Sequence, residues 1–197
     1  MVRVPALLLS LLAALPAAAQ EPMTNPCDTG KVECRRIETI RLQQPDGEEV
    51  LLEAHMDFPW VADGNIILTP GDSVTVRLVP DGDILSPVLV SFGPASASAP
   101  LKPGELRFTM APSDHGKQMM TATSNYPGMI DYGALMALAP GGPHRTSVCT
   151  LQPGIPVYEM WTDPIYQLAL MHFVPTTEPG CKTLEWGEGA QLVKKPD

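Results

Sequence analysis

The sequence predicts an all-β protein, a single antiparallel β-sandwich of about eight or nine strands. Three observations predict it. Apolar residues recur at every second position in several short stretches, the pattern of strands with one buried face. The 22 prolines and 16 glycines punctuate the chain so closely that few windows leave room for a helix of more than three turns. The punctuation is also chemically specific, because Pro-Asp-Gly occurs twice between apolar runs, at 45–47 and 80–82. In such a turn Pro presets φ and Gly accepts φ > 0.

The elements follow in order. Residues 35–43 carry Ile37, Ile40 and Leu42 and form the first convincing strand. Pro45-Asp46-Gly47 turns the chain, and 48–56 returns, so the pair reads as a hairpin. Ile66-Ile67-Leu68 is a short apolar run that stops at Thr69-Pro70-Gly71-Asp72. Val74, Val76 and Leu78 alternate with Thr75 and Arg77. Val88, Val90 and Phe92 alternate again before a small-residue loop at 93–100. Leu106, Phe108 and Met110 alternate, and the longest alternation puts Ile130, Tyr132, Ala134, Met136 and Leu138 on one face. Ala134-Leu135-Met136-Ala137 would favour a helix by propensity, but Pro127-Gly128 and Pro140 leave little length for one. Strands at 146–151, 157–161 and 165–174 complete the set.

Residues 1–19 read as a cleavable signal peptide. Arg3 supplies the charged start, an apolar run from 4 to 15 is broken only by Ser10, and Pro16-Ala17-Ala18-Ala19 offers small residues before a cut ahead of Gln20. The run is shorter than the ~20 apolar residues a bilayer span needs. Residues 20–34 then form an N-terminal extension containing a Cys27–Cys34 loop, 35–186 the sandwich, and 187–197 a frayed tail. This makes the working protein periplasmic or secreted, with no transmembrane segment in the mature chain.

Loss of the first 19 residues removes Arg3 and leaves 178 residues, 12 basic against 22 acidic, a net charge of −10. That length suffices for one domain with a substantial core. The acidic balance sets nucleic acid aside as a partner, because no basic run exists to release its counterions. Cys27, Cys34, Cys149 and Cys181 are an even set in an exported chain, which predicts two disulfides. Of three possible connectivities, Cys27–Cys34 and Cys149–Cys181 join cysteines near in sequence. The spacing fits neither zinc nor a redox pair, since no C-x-x-C occurs.

Each motif that touches on chemistry also has a structural explanation. Gly71-Asp72-Ser73 resembles the nucleophile motif of GDS-type esterases. That family needs a downstream Asp-x-x-His, which this chain lacks, and the segment is also a good strand-to-strand turn. Ser113-Asp114-His115 sets three triad residue types side by side, but adjacent side chains on an extended chain point to opposite faces. No G-x-S-x-G elbow occurs. The reading is therefore non-enzymatic, with no catalytic residues and no cofactor.

The alternative is a periplasmic copper or small-ligand carrier. His55-Met56 and Met171-His172 put imidazole and thioether together, and those ligands suit copper. Against it, the cysteine, histidine and methionine cluster of cupredoxins is missing: Cys149 is followed by Thr-Leu-Gln-Pro. Among the aromatic residues, the stretch 158–164, with Tyr158 and Trp161, is the most distinctive local sequence and the predicted contact surface for an envelope protein or glycan. The strand spacing resembles the immunoglobulin or fibronectin type III class. The antibody-type Cys…Trp…Cys spacing is absent, so the resemblance implies an architecture and says little of function.

Overall fold

A computed structural model of the chain describes residues 25–44, 46–95, 99–111, 117–139, 141–186 and 190–194. The predicted signal peptide, Ser113-Asp114-His115 and the start of the tail lie outside the described residues. The chain is all-β with antiparallel strands. A 3-10 turn, Pro26–Thr29, is capped by Asn25, whose side chain accepts from the Cys27 N–H.

Fourteen strands follow among the described residues, more than the eight or nine expected. They are β1 (Cys34–Gln43), β2 (Glu49–Pro59), β3 (Val61–Ala62), β4 (Asn65–Leu68), β5 (Asp72–Asp81), β6 (Ile84–Pro94) and β7 (Glu105–Met110). The remainder are β8 (Gln118–Ser124), β9 (Met129–Leu138), β10 (Pro143–Cys149), β11 (Val157–Trp161), β12 (Ile165–Thr176), β13 (Cys181–Trp186) and β14 (Ala190–Lys194).

The excess has identifiable sources. The two-residue strand β3 exists because Asp63 (φ 50°) and Gly64 (φ 75°) both take positive φ in a two-residue turn onto β4. Strand β8 buries Gln118, Met120, Ala122 and Ser124, a face too small and polar to show as apolar alternation. Strand β14 falls in the segment read as a frayed tail; it pairs with β13 from Lys182↔Lys194 to Trp186↔Ala190.

Strands β1 and β2 make a two-stranded arm of their own. The other twelve form one sheet in the order β11-β8-β7-β5-β6-β12-β9-β10-β13-β14, with β4 on β12 and β3 on β4. Strands β6 and β12 join at a single registered pair, Phe173↔Leu85. Strands β7 and β9 are four places apart in that order, about 19 Å along a flat sheet. Yet the rings of Phe108 and Tyr132 meet at 5.7 Å and those of Phe108 and Phe173 at 6.1 Å. The sheet therefore folds over, and its two halves face each other across the core. That core holds Val74 and Val76 of β5, Leu106, Phe108 and Met110 of β7, and Ile130, Tyr132, Leu168, Leu170 and Phe173 opposite.

Val88, Val90 and Phe92 are each about half exposed and do not share one face: Val88 pairs with the exposed Arg77, Phe92 with the buried Val74. A register shift against Thr75/Val76 leaves Val90 without a partner, and the buried positions of β6 are Leu85 and Pro87. Strand β10 changes partner along its length, pairing β9 up to Thr146↔Ala134 and β13 from Ser147↔Thr183. It thereby lays β13 over β9. A Cβ on Gly133 would stand 2.8 Å from Leu184 Cβ, so glycine is what permits that approach.

The disulfides are Cys27–Cys34 and Cys149–Cys181. The second sits beside a buried polar knot: Lys182 Nζ pairs with Asp131 Oδ2, and Thr150 Oγ1 donates to Asp131 Oδ1 at 2.6 Å.

Candidate functional site

Three surfaces merit description: the root of the arm, the groove beneath it, and the edge at β11. The arm root is built for attachment. Arg35 Nη2 donates to Asp72 Oδ2 at 2.6 Å, and the guanidinium carbon lies 3.8 Å from the centre of the Trp60 ring. Trp60 stacks in turn on Phe92, 4.8 Å between centroids, which gives that half-exposed residue a purpose. Burial raises the Asp72 carboxyl above its ordinary value and lowers the Arg35 guanidinium, each partly offset by the other's charge.

Asp72 also accepts from Thr69 N at 2.6 Å and Thr69 Oγ1 at 2.8 Å, while Ser73 Oγ shares a hydrogen bond with Thr109 Oγ1. Gly71-Asp72-Ser73 is thus committed to holding a turn and a strand pair. Next to it a cleft of about 530 Å³ is lined by Arg35, Arg36 and Arg41. All three are paired, with Asp72, with Glu38 and Asp57, and with Glu49. The cleft therefore offers no surplus positive charge to an anion.

A second groove, about 330 Å³, runs between the arm and the body, lined by Leu52, Met56, Phe58, Leu138 and Tyr166. The copper-ligand candidates divide around it. His55 and Met56 sit on β2, Met171 and His172 on β12. His55 (φ 47°) and His172 (φ 54°) each occupy a β-bulge in positive φ, so local strand geometry uses both residues. The His55 ring binds Glu38 at 2.7 Å. Among the described residues no group of three His, Cys, Asp or Glu side chains converges in a metal-holding arrangement.

The third surface is β11, at the end of the twelve-stranded sheet. The stretch predicted as a contact loop is, over 157–161, a strand paired with β8 without a register break, from Val157↔Ala122 to Trp161↔Gln118. Its alternation splits the two predicted contact residues. Tyr158 is 63% exposed, whereas Trp161 is 9% exposed and gives its indole N–H to Thr146 Oγ1 at 2.7 Å. Trp161 belongs to the core. The outward companion of Tyr158 is Met160, 60% exposed and paired with the outward Met119. Ile155 stands exposed just ahead of the strand. Met160 lies within the predicted contact stretch but is not singled out by its sequence, although the period-two pattern that hides Trp161 also exposes Met160.

Glu159 points inward from the same strand. Its Oε1 accepts from the Cys149 N–H at 2.6 Å, but burial outweighs that bond and raises its carboxyl above the ordinary value. Burial also raises the Tyr132 hydroxyl, and the charge of Glu159 adds to the rise. A carboxyl held more weakly acidic in the fold than in the open chain binds its proton more tightly when folded. Its contribution to stability is therefore largest below the unfolded value of 4.5 and is lost as pH rises through the raised folded value. Glu159→Gln keeps an oxygen acceptor for Cys149. The variant is expected to melt higher than the parent at pH 7, the difference shrinking toward pH 4.5; melting curves across that range check this. A variant less stable at pH 7 would show that the charge itself is needed.

Comparison with protein-family models, with curated proteins and with solved structures finds no match.

Proposed function

We propose that this chain is an exported, non-enzymatic interaction module of the cell envelope, periplasmic or secreted, built as a single immunoglobulin-like antiparallel β-sandwich. Residues 1–19 act as its signal peptide, so the product begins at Gln20. Two disulfides support an oxidising compartment. Among the described residues no helix is long and apolar enough to cross a membrane. Two sheet halves that face each other across one aromatic core support the sandwich reading.

One observation carries the interaction reading. Strand β11 ends the sheet, and among the described residues nothing pairs with its outer side. Sheet edges are ordinarily guarded by outward charges, prolines or bulges. The outward face of this one carries no charge: it presents Tyr158, Met160 and the adjoining Met119. An exposed edge with aromatic and thioether side chains suits addition of a strand from a protein partner. Tyrosine brings large contact area at small entropic cost.

The test is a photo-crosslinking amino acid in place of Tyr158, in cells exporting the protein, with a second at Val193 as control. A discrete product from position 158, absent from 193, is expected. Equal or absent crosslinking at both positions would end the assignment of this surface.

A further inference from the structure

We propose that the outer face of β5, β6 and β7 binds a small hydroxylated carboxylate, of the class of a sugar acid, with Arg107 receiving the carboxylate. The inference goes beyond the β11 reading and does not depend on it, since the site includes no β11 residue.

Strand register builds the site. Val74 and Val76 face the core, so Ser73 and Thr75 face the other side of β5. Pairing sets Ser91 of β6 and Arg107 of β7 on either side of Thr75, with Gly93 and Thr109 on either side of Ser73. A pocket of about 180 Å³ lies against these rows. Ser73 and Thr75 are buried beneath it, and Ser91 is exposed at its rim.

Arg107 is held in place without being neutralised. Its Nε donates to Thr75 Oγ1 at 3.2 Å, and its Nη2 donates to Ala99 O. A guanidinium has five N–H groups. Two of them go to these neutral oxygens, and three remain for a ligand. Among the described residues lining the pocket none is acidic. Glu105, two places along β7 on the same face, is engaged instead by Arg77 at 3.5 Å and by the Lys102 N–H at 2.9 Å. This separates the site from the cleft at the arm root, whose three arginines are all paired with carboxylates.

The donor set selects the ligand. A planar guanidinium fork fits a carboxylate through two parallel hydrogen bonds. One cation matches one negative charge. A phosphate dianion would bring a second charge into a chain that has 22 acidic against 13 basic residues. The hydroxyls suit a polar body beside the carboxylate. Thr75 accepts from Arg107 and keeps its own proton to donate, and Ser91 can do both.

Isothermal titration of the protein, disulfides intact and at low salt, with D-galacturonate tests the proposal; galactose, acetate and inorganic phosphate are the comparisons. Saturable galacturonate binding is expected, about tenfold tighter than acetate or phosphate, absent for galactose and weakened by sodium chloride. Arg107→Gln is expected to weaken it at least tenfold, through loss of charge-assisted bonds. Ser91→Asp sets a carboxylate at the rim on an exposed position. It is expected to melt at the parental temperature and to lose galacturonate binding. Tetragalacturonate binding more tightly than the monomer identifies the source as an acidic glycan chain; equal or weaker binding identifies a free sugar acid. The proposal is overturned by a folded protein that shows no saturable galacturonate binding, or by binding that both variants leave unchanged. Galactose or phosphate binding as tightly as galacturonate overturns it too. Crosslinking at position 158 is read separately, so failure here leaves the β11 assignment to its own test.

Discussion

Replacing Phe108 by alanine is expected to cost about 3–5 kcal/mol, enough to lower the melting temperature of a domain this size by roughly 10 °C. The reason is position as much as size. Phe108 comes from β7 and touches Tyr132 of β9 and Phe173 of β12, so its ring fills the space between the two halves of the folded sheet. All three residues are fully buried, and the backbone on either side is fixed by ladders that resist collapse into the void. Phe92→Ala is the matched control: it removes an equally large ring, one that is half exposed and stacks on Trp60 alone. It is expected to cost about 1 kcal/mol. Urea unfolding of both variants, read as midpoints at constant slope, decides the matter. Equal losses would mean that the core is not organised around Phe108.

Removing Cys149–Cys181 through Cys149→Ser with Cys181→Ser is expected to cost about 3–4 kcal/mol, and removing Cys27–Cys34 in the same way about 2–3. The difference follows from loop length, since the bonded residues are 32 apart in one case and 7 in the other. The long loop encloses β11 and β12, so opening it frees both in the denatured chain. Some order persists without the bond, because Thr150 N still donates to Gly180 O and Lys182 still pairs with Asp131. Denaturation of the two double variants, monitored by tryptophan fluorescence, gives the ranking. A larger loss from the short loop would place the more important constraint at the arm root.

Much of the strand content was legible because it rests on local rules. Val74-Val76-Leu78 and Leu106-Phe108-Met110 show the period-two pattern and are almost wholly buried. The 157–161 run matches β11 end to end. What escaped depends on contacts distant in sequence. Strand β8 is inward-facing through Ala122 and Ser124, residues that only the neighbouring strands render buried. Strand β14 has little apolar weight of its own and is held by its ladder to β13. Val88 faces outward because it pairs with the exposed Arg77, and Val90 falls at a register shift that no residue of β6 announces. Asp63-Gly64 went unread although Asp-Gly is a strong two-residue turn signal, because the strands it joins are too short to show a pattern. At the candidate site the chosen segment was visible by its composition. The direction of each side chain was not: whether Tyr158 or Trp161 faces outward depends on which face of β11 meets the core.

The arm has a further consequence for how its sequence can vary. The buried cluster that unites the sheet begins at Trp60, and nothing before that residue belongs to it. Strands β1 and β2 hydrogen-bond to each other alone as strands. Arg35 on Asp72 and Trp60, Asn25 on Asp57 and Trp60 N on Glu33 O fasten this region at its base. Ile40 and Leu42 of β1 are buried as well, and β1 lies against β12, so the hairpin is held along its length and not at its base alone. Sequence drift is therefore free at its outward positions, Glu38, Thr39 and Arg41, and constrained at Ile40 and Leu42 by what those two side chains bury.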